Sequence, residues 1–268
     1  MVAPKKSLGQ NFLRDDNIAR KIVGQIELQR DGLVIEIGPG SGALTKHLIN
    51  TGAEVVVVEI DARAVAMLRE IFGSSITIIH SDVLALDLHE LKRKYNKPMR
   101  VVGNIPYYIT SDILFWLFEH RQNAVDATIM MQLEVGQRLT ASPGTKEYGI
   151  LSVFAQYYSK PRFLFRVSPN CFYPKPSVES AVIQLDFSVN SPPVHDRLFR
   201  TVVRGTFGKR RKTLFNGLRF LGFVESDLKQ VDYDLTKRPE QLTQYDFLTL
   251  VRLLEPYANA QVLSTFSS

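Results

Sequence analysis

The sequence predicts an α/β protein, with a parallel sheet covered by helices on both faces and a small all-helical domain at the C-terminus. Two observations carry this prediction. Between Val34 and Met131, short apolar runs alternate with amphipathic stretches, as expected for parallel strands joined by helices. From Asp196 onward, apolar residues recur at helical spacing.

Local patterns place the elements of the α/β part. Apolar runs rich in β-branched residues predict strands at residues 34–37, 55–58, 76–80, 101–103 and 127–131, and alternation predicts a last strand at 180–187. The run Val55-Val56-Val57-Val58 is uninterrupted, which indicates a strand buried on both faces. Amphipathic spacing predicts helices at residues 43–50, 62–72 and 109–119.

The C-terminal part follows Ser191-Pro192-Pro193, which has the composition of a linker. Helical spacing then predicts helices at residues 197–206, 211–221 and 245–254, with a short helix after Glu225. We therefore expect two domains, residues 1–189 and residues 190–268.

Composition limits the classes of function. The chain has 268 residues, a formal charge of +6 and a pI near 9.3, which favours a phosphate-rich partner. The single cysteine, Cys171, excludes an internal disulfide and a Cys-rich zinc site, and the scattered histidines predict no metal site. No apolar stretch reaches about 18 residues, so we expect no membrane span. The basic N-terminus lacks an apolar segment after it, so we expect no secretory signal and a cytoplasmic protein.

A glycine-rich turn follows the first predicted strand, with the sequence Glu36-Ile37-Gly38-Pro39-Gly40-Ser41-Gly42. Glycines let a backbone approach a ligand where a Cβ would clash. The turn could also form without a ligand, and Gly38, Gly40 and Ala43 satisfy the loosest form of the nicotinamide or flavin fingerprint. The carboxylate of Glu36 would repel a pyrophosphate but not the cationic aminoacyl end of S-adenosylmethionine (SAM). We therefore predict SAM as the cofactor.

Acidic residues follow the next two strands. Glu59 ends the second strand, about 20 residues beyond the turn, where a carboxylate can bind paired ribose hydroxyls. Asp82, followed by Val83, comes after the third strand and can accept a hydrogen bond from an adenine amine. The alternative is that Asp82 is an ordinary helix N-cap.

The tetrapeptide Asn104-Ile105-Pro106-Tyr107 lies just past the fourth strand, at the edge where doubly wound sheets bind ligands. Its composition alone is that of a turn, because Asn and Pro favour turns. Its position at this edge of the sheet weighs against a turn that has no function.

Together, these motifs resemble those of the ribosomal RNA adenine N6,N6-dimethyltransferases, and the resemblance spans most of the chain. DNA adenine methyltransferases resemble it at the tetrapeptide but carry a second proline where Ile105 stands. The resemblance implies a Rossmann-like SAM-dependent methyltransferase sheet. It is carried by Leu8-Gly9-Gln10-Asn11-Phe12-Leu13, the turn at residues 36–42, Glu59, Asp82, the tetrapeptide, and Phe172-Tyr173-Pro174-Lys175-Pro176-Ser177-Val178-Glu179-Ser180.

The resemblance implies roles for the catalytic residues. The side-chain carbonyl of Asn104 and the main-chain carbonyl of Ile105 accept hydrogen bonds from the adenine amine and direct its lone pair at the methyl group. Pro106 fixes the backbone. Tyr107 and Phe172 stack on the two faces of the adenine, each stack stabilising the complex by roughly 1–3 kcal/mol.

The resemblance also implies the cofactor contacts. Gln10, Asn11 and Leu13 form a lid over SAM, although Leu8 and Phe12 could instead tether this loop to the core. The remaining contacts are expected from Gly38, Gly40, Glu59, Asp82, Val83 and Asn104.

A basic segment predicts the RNA-binding surface. No Asp or Glu occurs between Arg197 and Arg219. A solvated helical face is one explanation of such a charge run. A cluster at a turn instead focuses the potential on phosphates, and this cluster is Lys209, Arg210, Arg211 and Lys212.

The function implied is dimethylation of the N6 amines of two adjacent adenosines in the 3'-terminal hairpin of small-subunit (16S) rRNA, during ribosome biogenesis. The expected partners are this rRNA and the assembling small subunit, and the expected state is a monomer. Two alternatives remain: a large-subunit (23S) rRNA dimethyltransferase of the resistance type, and a non-catalytic nucleic-acid-binding paralogue. The basic C-terminal part favours the first function over the second, and the intact tetrapeptide argues against the third.

Overall fold

The computed structural model describes residues 3–5, 8–188 and 194–265. The chain divides into two compact units, Met1–Gly136 with Ser159–Val189 and Gln137–Tyr158 with Asn190–Ser268. The second unit thus includes residues 137–158, which the sequence analysis assigned to the catalytic domain. The predicted linker at residues 191–193 and the boundary between residues 189 and 190 lie outside the described residues, so this boundary stays a prediction.

The bounds of the elements are as follows. The strands, all in the first unit, are β1 (Phe12–Leu13), β2 (Leu33–Ile37), β3 (Glu54–Glu59), β4 (Thr77–His80), β5 (Met99–Asn104), β6 (Asp126–Gln132), β7 (Lys160–Val167), β8 (Phe172–Tyr173) and β9 (Ser180–Asp186). The α-helices are α1 (Asp16–Val23), α2 (Thr45–Leu48), α3 (Ala62–Phe72), α4 (Leu88–Tyr95), α5 (Thr110–Glu119), α6 (Leu133–Leu139), α7 (Ile150–Tyr158), α8 (Asp196–Phe207), α9 (Leu214–Phe220), α10 (Glu225–Leu228), α11 (Gln244–Leu254) and α12 (Ala260–Ser264).

Seven of the strands in the described part of the chain form one sheet, in the order β4-β3-β2-β5-β6-β9-β7. The pairs from β4 to β6 are parallel, as predicted, whereas β9 is antiparallel to both β6 and β7. The strand order reverses direction at β2, whose neighbours are β3 and β5. The carboxyl ends of β2 and β5 therefore open a crevice between them, where such sheets bind ligands.

The centre of this sheet is covered on both faces. Every residue of β2 is buried, and so is the run Val55–Val58 of β3. Because successive side chains of a strand point to opposite faces, continuous burial requires cover on each side. The prediction of an α/β sheet with helices around it is confirmed.

The sequence pattern missed β7, an edge strand. It carries Pro161 together with Arg162 and Arg166, and most of its side chains are partly or fully exposed. Proline and charged residues protect an edge from pairing with other chains, and they also remove the apolar pattern by which a buried strand is recognised.

The second unit is helical. The ring of Phe199 on α8 is fully buried, with its centroid 4.3 Å from that of Tyr157 on α7. The hydroxyl of Tyr148 donates to the carbonyl of Leu242 at 2.7 Å. The helix predicted at residues 211–221 begins instead at Leu214, because the Thr213 side chain accepts from the Asn216 amide and caps it. None of the helices described combines the length and apolar character needed to cross a bilayer.

Candidate active site

The glycine turn after β2 brings the backbone against an aromatic ring. Gly40 has φ +53°, and a Cβ at this position would lie 2.8 Å from the ring of Phe12. Real Cβ atoms do not approach other atoms so closely, and positive φ is itself unfavourable for L residues. The turn therefore requires glycine at position 40 for both conformation and space.

The carboxylate of Glu59 is held by the backbone at the end of β3. Its two oxygens accept hydrogen bonds from the amides of Gly40 at 3.2 Å and Asp61 at 2.9 Å. Burial raises the pKa of this carboxyl, and the backbone hydrogen bonds partly offset that effect. Each carboxylate oxygen has a further lone pair, so Glu59 can still accept from the paired hydroxyls of a ribose.

The amide of Asn104 is oriented by the N-terminal segment. Its Nδ2 donates to the main-chain carbonyl of Asn11 at 2.9 Å. This contact fixes which end of the amide is which, an assignment that depends on the hydrogen-bond network. The Oδ1 atom therefore points away from the Asn11 carbonyl and can act as an acceptor. The next residue, Ile105, is buried, and its amide donates to the carbonyl of Met130 at 3.2 Å.

The ring of Tyr107 is fixed at its hydroxyl. This hydroxyl forms a 2.7 Å hydrogen bond with the Ser180 hydroxyl at the start of β9. Burial raises the pKa of the Tyr107 phenol, and the bond to Ser180 opposes the rise. Ser180 ends the motif that begins at Phe172, so this long motif supports the tetrapeptide directly.

A cavity of about 260 Å³ brings most of the predicted site residues together. The residues of the tetrapeptide line it, and Tyr108 beside them is largely exposed. Asp82 is an N-cap, which the sequence left open as an alternative to a cofactor contact. Its Oδ1 accepts from the amide of Leu84 at 2.9 Å. The other predicted residues in the lining are Gln10, Asn11, Gly38, Gly40, Glu59, Asp82 and Val83.

Two predicted residues lie outside this lining. Leu13 and Phe172 face each other across the antiparallel pair β1–β8, and both are buried in one hydrophobic cluster. Phe172 is only 5% exposed. Its stacking on a base stays a prediction, and it requires that the ring be uncovered first.

Glu36 does not act as the sequence argument for SAM assumed. It is buried, its carboxylate accepts from the Thr45 hydroxyl at 2.6 Å, and it does not line the 260 Å³ cavity. Burial raises the pKa of Glu36 to about 8, so the group is mostly uncharged at neutral pH. Charge repulsion by Glu36 therefore gives little support for SAM, and the choice of this cofactor depends on other residues.

Asp61, for which the sequence pattern predicts no role, anchors the N-terminal segment. Its carboxylate accepts from Gln10 Nε2 at 3.3 Å and from the Arg63 guanidinium at 2.6 Å. The Arg63 hydrogen bond holds the pKa of Asp61 well below its usual range. The residue stands two positions after Glu59, but nothing in its spacing points to a partner 51 positions earlier in the chain.

The four predicted RNA-binding residues of the second unit have different surroundings. The Arg210 guanidinium donates to Glu240 at 2.6 Å and to the carbonyls of Thr145 and Lys146, so it links two segments of this unit. Lys209 lies over the ring of Phe220, with 4.6 Å from Nζ to the ring centroid. Arg211 and Lys212 are exposed at the surface.

Comparison with known sequences assigns the chain. A sequence profile of the family described as "Ribosomal RNA adenine dimethylase" matches residues 1–255. The chain belongs to this family. A relative named "Ribosomal RNA small subunit methyltransferase A", from Chlorobium phaeobacteroides, is 43% identical over 258 residues, covering 95% of this chain and 93% of the relative.

Solved structures agree with this assignment. A crystal structure of a dimethyladenosine transferase from Plasmodium falciparum superposes with a TM-score of 0.79 at 24% identity, covering 92% of this chain and 98% of that one, which supports the fold. The 23S rRNA methyltransferase ErmE superposes with a TM-score of 0.68 at 27% identity, covering 91% of this chain and 100% of that one. Members of the ribosomal RNA adenine dimethylase family are SAM-dependent enzymes.

The residues of the cavity fit this cofactor. The anchored carboxylate of Glu59 can accept from ribose hydroxyls, and the second carboxylate oxygen of Asp82 can accept from an adenine amine. Gly38 has φ +62°, and in the part of the chain that the structure describes only the Asn104 carbonyl, 3.8 Å away, lies within 4 Å of where a Cβ would be. The turn thus leaves space for a ligand at this point of its backbone.

Proposed function

We propose that this protein transfers methyl groups from SAM to the N6 amines of two adjacent adenosines in the 3'-terminal hairpin of small-subunit (16S) rRNA. The observation that carries the proposal is the oriented amide of Asn104, whose Nδ2 donates to Asn11 at the edge of the cavity that Glu59 also lines. The acceptor Oδ1 is thereby presented to the substrate amine.

The chemical task is to make a weak nucleophile react. The lone pair of the adenine amine is delocalised into the ring. The two N–H groups of the amine donate to Asn104 Oδ1 and to the Ile105 carbonyl. These hydrogen bonds favour a pyramidal nitrogen with a localised lone pair. Pro106 has no amide hydrogen and restricts φ, which keeps both acceptors in place. Orientation of this kind can lower a barrier by about 7–11 kcal/mol.

Tyr107 would hold the adenine ring by stacking. Its orientation is set by the bond to Ser180, so little freedom is lost when a base binds. Bound at Gly38, Gly40, Glu59 and Asp82, the cofactor supplies an electrophilic methyl group on a sulfonium sulfur. The protonated amine that results is acidic enough to release its proton to water, so a general base at the amine is unnecessary.

The identity of the relatives favours the small-subunit substrate over the large-subunit alternative. The Chlorobium relative named for the small subunit is 43% identical, whereas the 23S rRNA methyltransferase ErmE is 27% identical. The intact tetrapeptide Asn104-Ile105-Pro106-Tyr107 at the cavity argues against a non-catalytic paralogue.

The finer features of the proposal concern setting and partners. We place the reaction on the assembling small subunit in the cytoplasm, with the protein acting as a monomer. Arg211 and Lys212, exposed on a basic unit, would contact phosphates and position the RNA without reading its sequence.

The test uses radiolabelled SAM with small-subunit particles, large-subunit particles and free rRNA, followed by nucleoside mapping. The proposal predicts N6,N6-dimethyladenosine at two adjacent positions of small-subunit rRNA. Label confined to large-subunit RNA would overturn the choice of substrate, and absence of label from every RNA would overturn the activity.

A further inference from the structure

An exposed aromatic residue lies beside the buried Phe172. In the short strand β8, alternation turns Phe172 into the core and leaves Tyr173 49% exposed. The guanidinium of Arg14, which follows β1, covers the Tyr173 ring with its central carbon 4.0 Å from the ring centroid. This places two stacked planar groups at the surface of the first unit.

These stacked groups line a second cavity, of about 620 Å³. The cavity is next to the proposed SAM site, because Phe12 lines both cavities. Tyr173 is also the register partner of Phe12 in the pair β1–β8, so the stacked groups lie beside a residue that lines the first cavity.

The charges of this second cavity favour a base over a phosphate. Its lining has three carboxylates, those of Asp15, Asp16 and Glu70, and two cations, Arg14 and Lys46, so it carries no excess of positive charge that would attract a phosphate. The charge of Asp16 is balanced by ion pairs with Lys46 and Arg20. An unpaired base is uncharged, and unstacked bases bind on aromatic rings and on guanidinium planes.

We propose that the Arg14–Tyr173 pair is a stacking site for the nucleobase adjacent to the target adenine. The site would hold the neighbour while the target is in the reaction cavity, and stacking makes it tolerant of base identity. The inference rests on the proposed RNA substrate and adds a subsite to it.

The first test removes the ring. We expect Tyr173→Ala to raise the KM for the rRNA substrate roughly 5- to 150-fold, as loss of one base–aromatic stack does, with an unchanged Kd for SAM. Tyr173→Phe should retain the wild-type KM. The matched control is Tyr245→Ala on α11, which removes a tyrosine of similar exposure, 62%, and should have no effect. Arg14→Lys should weaken RNA binding, because an ammonium group has no plane to stack.

The decisive test combines the protein variant with a changed RNA. Small-subunit rRNA is made with an abasic nucleotide on the 5' or the 3' side of the target adenine. For one of these positions, the abasic substitution should raise the wild-type KM by the same factor as Tyr173→Ala, and the two changes together should cause no further rise.

Additive effects at both positions would overturn the stacking site, and so would equal KM values for Tyr173→Ala and Tyr245→Ala. A parallel loss of SAM affinity in Tyr173→Ala would also overturn it, because the ring would then have a structural role. If the wild-type protein methylates no rRNA, the proposed function itself fails, which is a separate outcome.

Discussion

Replacing Glu36 with glutamine is expected to change how the stability of the protein depends on pH. Burial raises the pKa of Glu36 from 4.5 to about 8, and the hydrogen bond from Thr45 opposes this rise. The folded protein therefore holds a proton that the unfolded chain loses above pH 4.5 or so. Stability from this group is fully present below the unfolded pKa and is lost as the pH rises through the folded pKa.

The size of the effect follows from the shift. One pKa unit corresponds to about 1.4 kcal/mol. Between pH 6 and pH 8, the wild-type protein should lose about 2 kcal/mol of unfolding free energy through Glu36. Glutamine keeps an oxygen that can accept from Thr45 but does not titrate, so Glu36→Gln should lack this component of the pH dependence.

Urea unfolding at pH 6 and pH 8, followed by circular dichroism, measures the difference. Glu70→Gln, which neutralises an exposed carboxylate on α3, is the matched control and should behave like the wild type. The same loss of stability in Glu36→Gln as in the wild type would refute the assignment of a protonated Glu36.

Two further predictions concern the glycine turn and the basic segment. Gly40→Ala should lower SAM affinity and cost about 1–3 kcal/mol more stability than Gly73→Ala. Both glycines have positive φ, but a Cβ at Gly40 would strike Phe12, whereas no atom of the described residues lies within 4 Å of one at Gly73. Thermal unfolding and calorimetry measure the two losses, and equal losses would contradict the clash. Arg211→Ala should weaken RNA binding and reduce the salt slope by about 1, whereas Arg210→Ala should chiefly lower the unfolding free energy, because Arg210 pairs with Glu240. A salt titration in which Arg210→Ala lowered the slope and Arg211→Ala did not would contradict both assignments.

The sheet could be predicted because its signal is local. A continuous β-branched run such as Val55–Val58 indicates a buried strand and little else. The glycine turn and the tetrapeptide stand at the ends of such runs. The edge strand β7 could not be predicted, because its mostly exposed side chains lack the apolar pattern of a buried strand.

The connections within the site were beyond a sequence argument. Asn104 depends on a carbonyl 93 residues earlier, and Tyr107 on a hydroxyl 73 residues later. Charge was misjudged for the same reason. Burial raises the pKa of Glu36, which favours its uncharged form, and the half-exposed Arg210 is paired with Glu240. Residue type predicts which hydrogen bonds and charges a side chain can have, whereas its neighbours in the fold determine which of them it has.

The central claim, that Asn104 Oδ1 accepts from the target amine, is tested most directly by single-turnover methylation of small-subunit rRNA at saturating SAM. Asn104→Ala should form N6,N6-dimethyladenosine on the order of 100-fold more slowly than the wild type, the loss typical of one pre-organised hydrogen-bonding group at a reacting centre. Equal rates for the two proteins, with nucleoside mapping showing the same product, would contradict the account.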